Sequence, residues 1–557
     1  MLVVAHELDL TDTFFTSGAV RLLGADIAGQ LSLRGAKLNG ANRDGEALVA
    51  DGMKVGNHAF LDEGFEAGGV VRLNGANIGG QLYLSGAKLN GTDSSGNALF
   101  ANGVKVGEDA FLGDGFEARG AVRLFGADIA GQLYLSGAML NGTDGSGNAL
   151  VADFVKVGTV VLEYPFEASG TVRLLGAQIA GQLTLKGAKL NGTDEMGNAF
   201  AADQMKAGDT VFLDEGFEAV GVVRLIGANI GGGLHLTGAR LNGTVDSLVA
   251  DSVKIGGHAF LDEGFTAEGK IDLHDAQIKG SLSFADAQLS GTPALLATGM
   301  SVLGELHWRP RQPVDGLVNL ERALVRRLVD DWSRPAAYWP PKGNIRLVGL
   351  TYDGFGGDAP ATWKQRLDWI RCSHIAPSGG SPARFSSQPY EQLARVYSQA
   401  GQDTEAREVA IARREDLRKY GHLSRPRWFG NWLLGKTIAH GYKPLRAVVM
   451  LLAVYLITLT ALLFAQHHGA IAPAKDTQKL NPSPAALGYD CKAYPCFYPA
   501  GYAVDVVVPL INVHQAENWR PNGWGWAAGI WGATGAGWAL STLAVVGYTG
   551  LVRKVEK

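Results

Sequence analysis

Residues 72–91, RLNGANIGGQLYLSGAKLNG, return 51 positions later as RLFGADIAGQLYLSGAMLNG at 123–142. The leucine of the V-R-L triplet marks the repeat at Leu22, Leu73, Leu124, Leu174 and Leu225, with a weaker copy at Leu273. Successive steps are 51, 51, 50, 51 and 48 residues. So constant a period requires like units stacked on one another, because no single unit can bury its own apolar face.

Each unit carries an internal echo. L-x-G-A-x-I around Leu73, Gly75, Ala76 and Ile78 returns as L-x-G-A-x-L around Leu84, Gly86, Ala87 and Leu89. The alternation has period two, which predicts short strands. The second half-unit, ALFANGVKVGEDAFLGDGFEARG (98–120), can be laid over the first with Leu99 under Leu73, Val104 near Ile78 and Leu112 near Leu84. One unit is then two coils of about 25 residues each.

Composition fits a narrow coil. The 76 glycines, with alanines, suit sharp corners; Leu, Ile, Val and Phe fill a thin core; only 19% of residues are charged. The NGT triplets at Asn90, Asn141, Asn191 and Asn242 recur once per unit and read as turns. The expected fold is mainly β: a right-handed β-solenoid, followed by a helical hairpin and two transmembrane helices. Roughly ten to eleven coils between Leu22 and Phe284 would make a rod on the order of 50 Å long.

Domains are expected at 1–300 for the solenoid repeats, 301–355 for a closing cap, 356–440 for a helical linker and 441–557 for a membrane domain. The cap is read from LHWRPRQPVDGLVNLERALVRRLVDDW and GNIRLVGLTYDGF, which keep the alternation but add bulky residues. In the linker, Tyr390, Leu393, Ala394 and Tyr397, a break at Gly401, then Ala406, Val409 and Ala410 have helical spacing. One such hairpin resembles a single tetratricopeptide repeat, too little for a peptide groove and suited to packing.

AVVMLLAVYLITLTALLFA (447–465) and the uncharged run 524–552 predict two membrane spans. Trp524 and Trp526 suit an interfacial belt, and Gly529, Ala533 and Gly537 form a small-residue stripe for close helix contact. Arg425, Arg427, Lys436, Lys443 and Arg446 precede the first span; Arg553, Lys554 and Lys557 follow the second. The positive-inside rule then places both termini in the cytoplasm, the loop 466–523 outside, and the lipid bilayer as one partner. The N-terminal MLVVAHELDLTDTFF reads as half a repeat unit, not as a signal peptide, which keeps the rod cytoplasmic.

In the outer loop, Cys491 and Cys496 either pair as a disulfide or remain free thiols. GYAVDVVVPLINVHQAENW (501–519) is too short and broken to cross, so it should lie on the membrane or dip into it. Asp505 and His514 there are candidate pore or interfacial residues.

Net charge of −4 and a pI near 6.3 argue against a general nucleic-acid-binding protein. Three cysteines exclude a four-cysteine metal site, and the twelve histidines have no metal-ligand spacing. GFGGDA (354–359) lacks the strand–helix–strand setting of a dinucleotide site. No catalytic, cofactor-binding or metal-binding residue is assigned, and no cofactor is expected.

The repeats do place charge in register. Arg21, Arg72, Arg123, Arg173 and Arg224 form one series, Lys54, Lys105, Lys156, Lys206 and Lys254 a second, and Glu66, Glu117, Glu167 and Glu218 a third. They should stand as ladders on the outside of the rod, either as solvated faces or as a track for a protein partner or an anionic polymer. Arg72, Arg123, Arg173, Lys105 and Lys156 are the candidate contacts.

The repeat units, then QPYEQLARVYSQAGQDTEAREVAIARR, AHGYKPLRA and YAVDVVVPLINVHQAENW before a last helix, resemble a family of bacterial β-solenoid membrane proteins with pentapeptide-like repeats. Its members are often labelled membrane-associated oxidoreductases, and the resemblance implies that activity. The residues themselves favour an interaction scaffold or sensor anchored at the inner face of the membrane. An alternative is a homo-oligomeric two-helix ion channel regulated by the solenoid, with a ring of Asp505.

Overall fold

The computed structural model describes residues 2–374, 385–474 and 495–549. The chain divides into Met1–Gln392 and Leu393–Lys557.

The first unit is a β-solenoid of about 15 turns with coils of roughly 24 residues. Each coil contributes short parallel strands to three sheets that run the length of the solenoid. In the largest sheet Ile78 lies between Val55 and Val106, and Leu82 between Ala59 and Ala110. Period-two alternation buries Ile78, Leu82, Leu84, Ala87 and Leu89 and leaves Asn77 and Lys88 exposed. The coils stack so closely that some corners admit only glycine. A Cβ on Gly107 would overlap the backbone carbonyl of Gly79 one coil away.

Coil length alternates. Val55 and Ile78 are 23 residues apart, whereas Ile78 and Val106 are 28 apart. The longer coil carries a protruding loop in which Asp93 Oδ1 accepts the backbone N–H groups of Ser95 and Asn97 at 2.9 and 2.8 Å. This loop shifts the expected overlay: Leu99 pairs with Val71, not Leu73, and Val106, not Val104, lies against Ile78. Leu112 does stand beside Leu84, whose N–H donates to Phe111 O at 2.7 Å.

The coils also run further than the L-x-G-A motif. Strand Ser301–Trp308 pairs with Leu324–Asp330, which pairs with Thr351–Gly356. Residues 301–355 thus add turns to the ten or eleven expected, and the core continues through Val302, Leu306, Val325, Leu328 and Tyr352.

Helix α1 (Trp363–Cys372) closes this end, begun by a capping box between Thr362 and Gln365. Its Arg366 forks onto Asp330 at 2.6 and 2.7 Å, and both residues are almost wholly buried, at 1% and 0% exposure. Asp330 also accepts Trp339 Nε1 at 3.0 Å, while the guanidinium lies 4.0 Å from the centre of the Phe355 ring. Trp308, Trp339 and Trp369 stack in series at 4.5 and 5.3 Å. Helix α2 (Gln388–Gln399) supplies Gln388 to Gly349 N and Leu350 O, and Gln392 to Tyr352 O, pairing backbone groups of the last coil.

In the second unit the expected hairpin is present: α2 turns at Gly401 into α3 (Asp403–Tyr420). Helix α4 (Arg425–Ile438) leads into α5 (Leu445–His467); then follow α6 (Pro499–Val507), α7 (Gln515–Asn518) and α8 (Trp524–Tyr548). Helices α5 and α8 are long and apolar enough to cross a membrane and are largely exposed. Leu445 and Tyr548 line one groove, while Phe464 and Trp526 meet at 6.3 Å near the other end, so the two run antiparallel. Helix α6 packs on both, burying Tyr502, Ala503, Val506 and Val507 with Leu462 and Trp519.

Candidate functional site

The outer faces of the solenoid sort its charges by register. In the 14-stranded sheet the column runs Arg21, Val49, Arg72, Phe100, Arg123, Val151, Arg173, Ala201, Arg224, so arginine occupies every second coil. Most of these arginines are engaged by the chain's own carboxylates. Arg72 binds Glu46 at 2.6 Å and Asp51 at 2.5 Å; Arg173 binds Asp153 at 2.7 Å; Arg224 binds Asp203 at 2.5 Å. The equivalent position before Arg123 is Asn102, and Arg123 instead reaches Asp144 at 3.3 Å. Burial alone would raise the Glu46 carboxyl, but hydrogen bonds from Asn42 and Arg72 outweigh it and hold it below its ordinary range. A groove of about 610 Å³ opens here, lined by Arg43, Asp44, Glu46, Arg72, Asp93 and Phe100, with both signs of charge.

The 12-stranded sheet is self-complementary. Its column alternates Lys37, Glu66, Lys88, Glu117 and, further on, Lys189, Glu218, Arg240. Lys37–Glu66 and Arg240–Glu218 close at 2.6 and 2.7 Å, and Lys88–Glu117 at 3.7 Å.

The largest sheet differs. Lys54, Lys105, Lys156, Lys206 and Lys254 stand at every second coil, all exposed. Among the described residues no carboxylate pairs with any of the five. Between them the register places Asn77, Asp128, Gln178 and Asn229. At a strand spacing of about 4.8 Å the ammonium groups recur roughly every 10 Å. Beside them, past a glycine bend, runs an aromatic column. Phe60, Tyr83, Phe111 and Tyr134 have centroids 4.9, 5.1 and 6.1 Å apart, and Phe212, His235 and Phe260 follow at 4.9 and 5.0 Å. Arg34 covers Phe60 at 3.9 Å, and Lys186 covers Phe212 at 4.9 Å. Phe60, Tyr83 and Phe111 stack face to face, whereas Tyr134, His235 and Phe260 meet their neighbours tilted or edge-on, and these ring contacts join one coil to the next.

The structure therefore separates the five expected contacts: Lys105 and Lys156 are free cations, whereas Arg72, Arg123 and Arg173 are held in ion pairs. The pairing had a visible signal, since Asp51, Asp153 and Asp203 recur two residues after a strand in the coil preceding each arginine.

In the second unit, Asp505 accepts the backbone N–H groups of Val513, Gln515 and Ala516 at 2.5, 2.6 and 3.0 Å, organising the turn into α7. His514 Nδ1 lies 3.3 Å from Glu517. Cys496 is disulfide-bonded; Cys491 lies outside the described residues, as do Arg553, Lys554 and Lys557. Among the described residues no group of three or more His, Cys, Asp or Glu could hold a metal.

His440, in the AHGYKP turn before α5, is buried, and its Nε2 has no hydrogen-bond partner among the described residues. Burial, reinforced by Arg414 and Arg418, lowers its pKa from 6.5 to about 4. The unfolded chain binds this proton first, so the second unit has its full stability above pH 6.5 and loses it as pH falls toward 4. The loss is about 3 kcal/mol. Urea midpoints of the detergent-solubilised chain should fall across that interval, and the part due to this residue should vanish in His440→Gln; an unaltered pH profile in the variant would refute the assignment.

Comparisons with protein-family models, curated proteins and solved structures return no match, so the family resemblance and the oxidoreductase activity it implies rest on the sequence motifs alone.

Proposed function

We propose that this chain is an interaction scaffold anchored to the membrane by α5 and α8, with the solenoid on the cytoplasmic side. The lysine column of the largest sheet would be its recognition face. The observation that carries this reading is the contrast between sheets: in two, most of the ladder cations close ion pairs with the chain's own carboxylates, while the third presents five lysines in one register that close none, with Asp26 and Asp128 the acids of that column. A partner of matching chemistry is acidic and extended, either an anionic polymer or a protein with a linear acidic surface. The membrane part of the proposal is supported by two antiparallel apolar helices that the protein itself leaves largely uncovered. The cytoplasmic placement follows from Arg425, Arg427, Lys436, Lys443 and Arg446 before α5. The channel alternative gains nothing from Asp505, whose carboxylate is committed to three N–H groups.

A linear polyanion tests the face. The full chain in uncharged detergent should be retained on immobilised heparin, and Lys105→Gln/Lys156→Gln/Lys206→Gln should elute at lower salt, with a log–log salt slope smaller by roughly three. Arg123→Gln/Arg173→Gln should leave elution unchanged and lower the melting temperature instead. Equal elution of the triple-lysine variant and the parent protein would refute the lysine column as the binding face.

A further inference from the structure

We infer that the groove where α5 begins and α8 ends is a binding site for an anionic phospholipid of the cytoplasmic leaflet; this rests on the membrane reading above. The groove holds about 800 Å³. Its wall is made of Leu445, Val448, Val545 and Tyr548, and it is overwhelmingly apolar. Leu445 and Tyr548 are 75% and 85% exposed, so the protein supplies no cover for them.

The groove is also cationic at its mouth. Arg407 of α3 and Arg446 of α5 both line it, both are exposed, and neither has a carboxylate partner among the described residues. The nearby acid is already neutralised, since Glu408 binds Lys443 at 2.5 Å. Gly547 brings the last turn of α8 against Pro444, where a Cβ would stand 3.2 Å from Pro444 Cβ, and so fixes the depth of the groove. An apolar slot that opens beside two uncompensated guanidiniums at a span's cytoplasmic end matches one molecule in two parts. An acyl chain fits the slot, and a phosphodiester fits the arginines. A zwitterionic lipid would present its own cation to Arg407 and Arg446, which selects for net negative charge.

The test uses the purified full chain in uncharged detergent and reads its melting temperature against added phosphatidylglycerol, phosphatidylcholine or inorganic phosphate. Phosphatidylglycerol should raise the midpoint in a saturable way, well beyond the other two. Arg407→Gln/Arg446→Gln should weaken that response roughly thirtyfold in lipid concentration, with its lipid-free midpoint unchanged because neither residue is ion-paired. Val545→Trp, which fills the slot without touching charge, should weaken it independently. A response to phosphatidylcholine or to phosphate as large as that to phosphatidylglycerol, or an unaltered response in both variants, overturns the site. Alkaline washing of membranes separates this from the broader reading: release of the chain overturns the anchor, whereas retention with a failed lipid response overturns only the lipid site.

Discussion

Asp330→Asn should destabilise the C-terminal end of the solenoid by about 3–5 kcal/mol, because it leaves the Arg366 guanidinium buried without its counter-charge. The pair is bidentate, at 0% and 1% exposure, and no water-facing conformation is available to Arg366 short of lifting α1. Solenoid stability is a sum over neighbouring coils, so the loss is expected to be local, melting the last turns first. Trp308, Trp339 and Trp369 stand within the affected region and report it. Tryptophan fluorescence in denaturant should shift well ahead of the far-ultraviolet signal of the remaining coils. The double replacement Asp330→Leu/Arg366→Met should recover most of the loss, as apolar substitutes for buried pairs do. A shift below about 1 kcal/mol in Asp330→Asn would show that the pair is screened after all.

The second large effect concerns Gly537. A Cβ at this position would overlap the carbonyl of Val507, so Gly537→Leu must drive α6 away from α8, at a cost of about 1–3 kcal/mol or more. Gly529, on the same stripe, has open space around it and should accept leucine. Ala503 is fully buried in the α6 cluster, which makes Ala503→Cys a reporter. Its thiol should resist maleimide in the parent and in Gly529→Leu, and react in Gly537→Leu. Equal labelling in all three would mean that α6 does not depend on this contact.

These two sites differ in how far they could be read from the chain. The glycine stripe was legible, because small residues at helical spacing in an apolar run signal close approach; its partner was not, since α6 was expected to lie on or dip into the membrane. The Asp330–Arg366 pair left no pattern, because 36 residues and two strands separate its members. The solenoid was legible wherever L-x-G-A repeated. The count of ten to eleven held between Leu22 and Phe284, whereas the turns in which Trp308 and Tyr352 replace the small set yet keep the inward register were read as a closing cap. The charge ladders were visible as series, but a one-dimensional period does not say which acid meets which base. That required the offset created by the 93–97 loop, which slides each half-unit relative to the next.

The alternation of coil types has a consequence for how such a protein can change in length. Because lysine and arginine return only at every second turn, the solenoid behaves as a two-tone lattice whose true unit cell is a pair of coils. Deleting or duplicating a pair preserves every column; deleting one coil would set two like positions side by side at the join, Lys on Lys or loop on loop according to which coil is lost. The chain can therefore be lengthened or shortened in steps of about 51 residues with its lysine column intact, and that column is a ruler graduated in doublets.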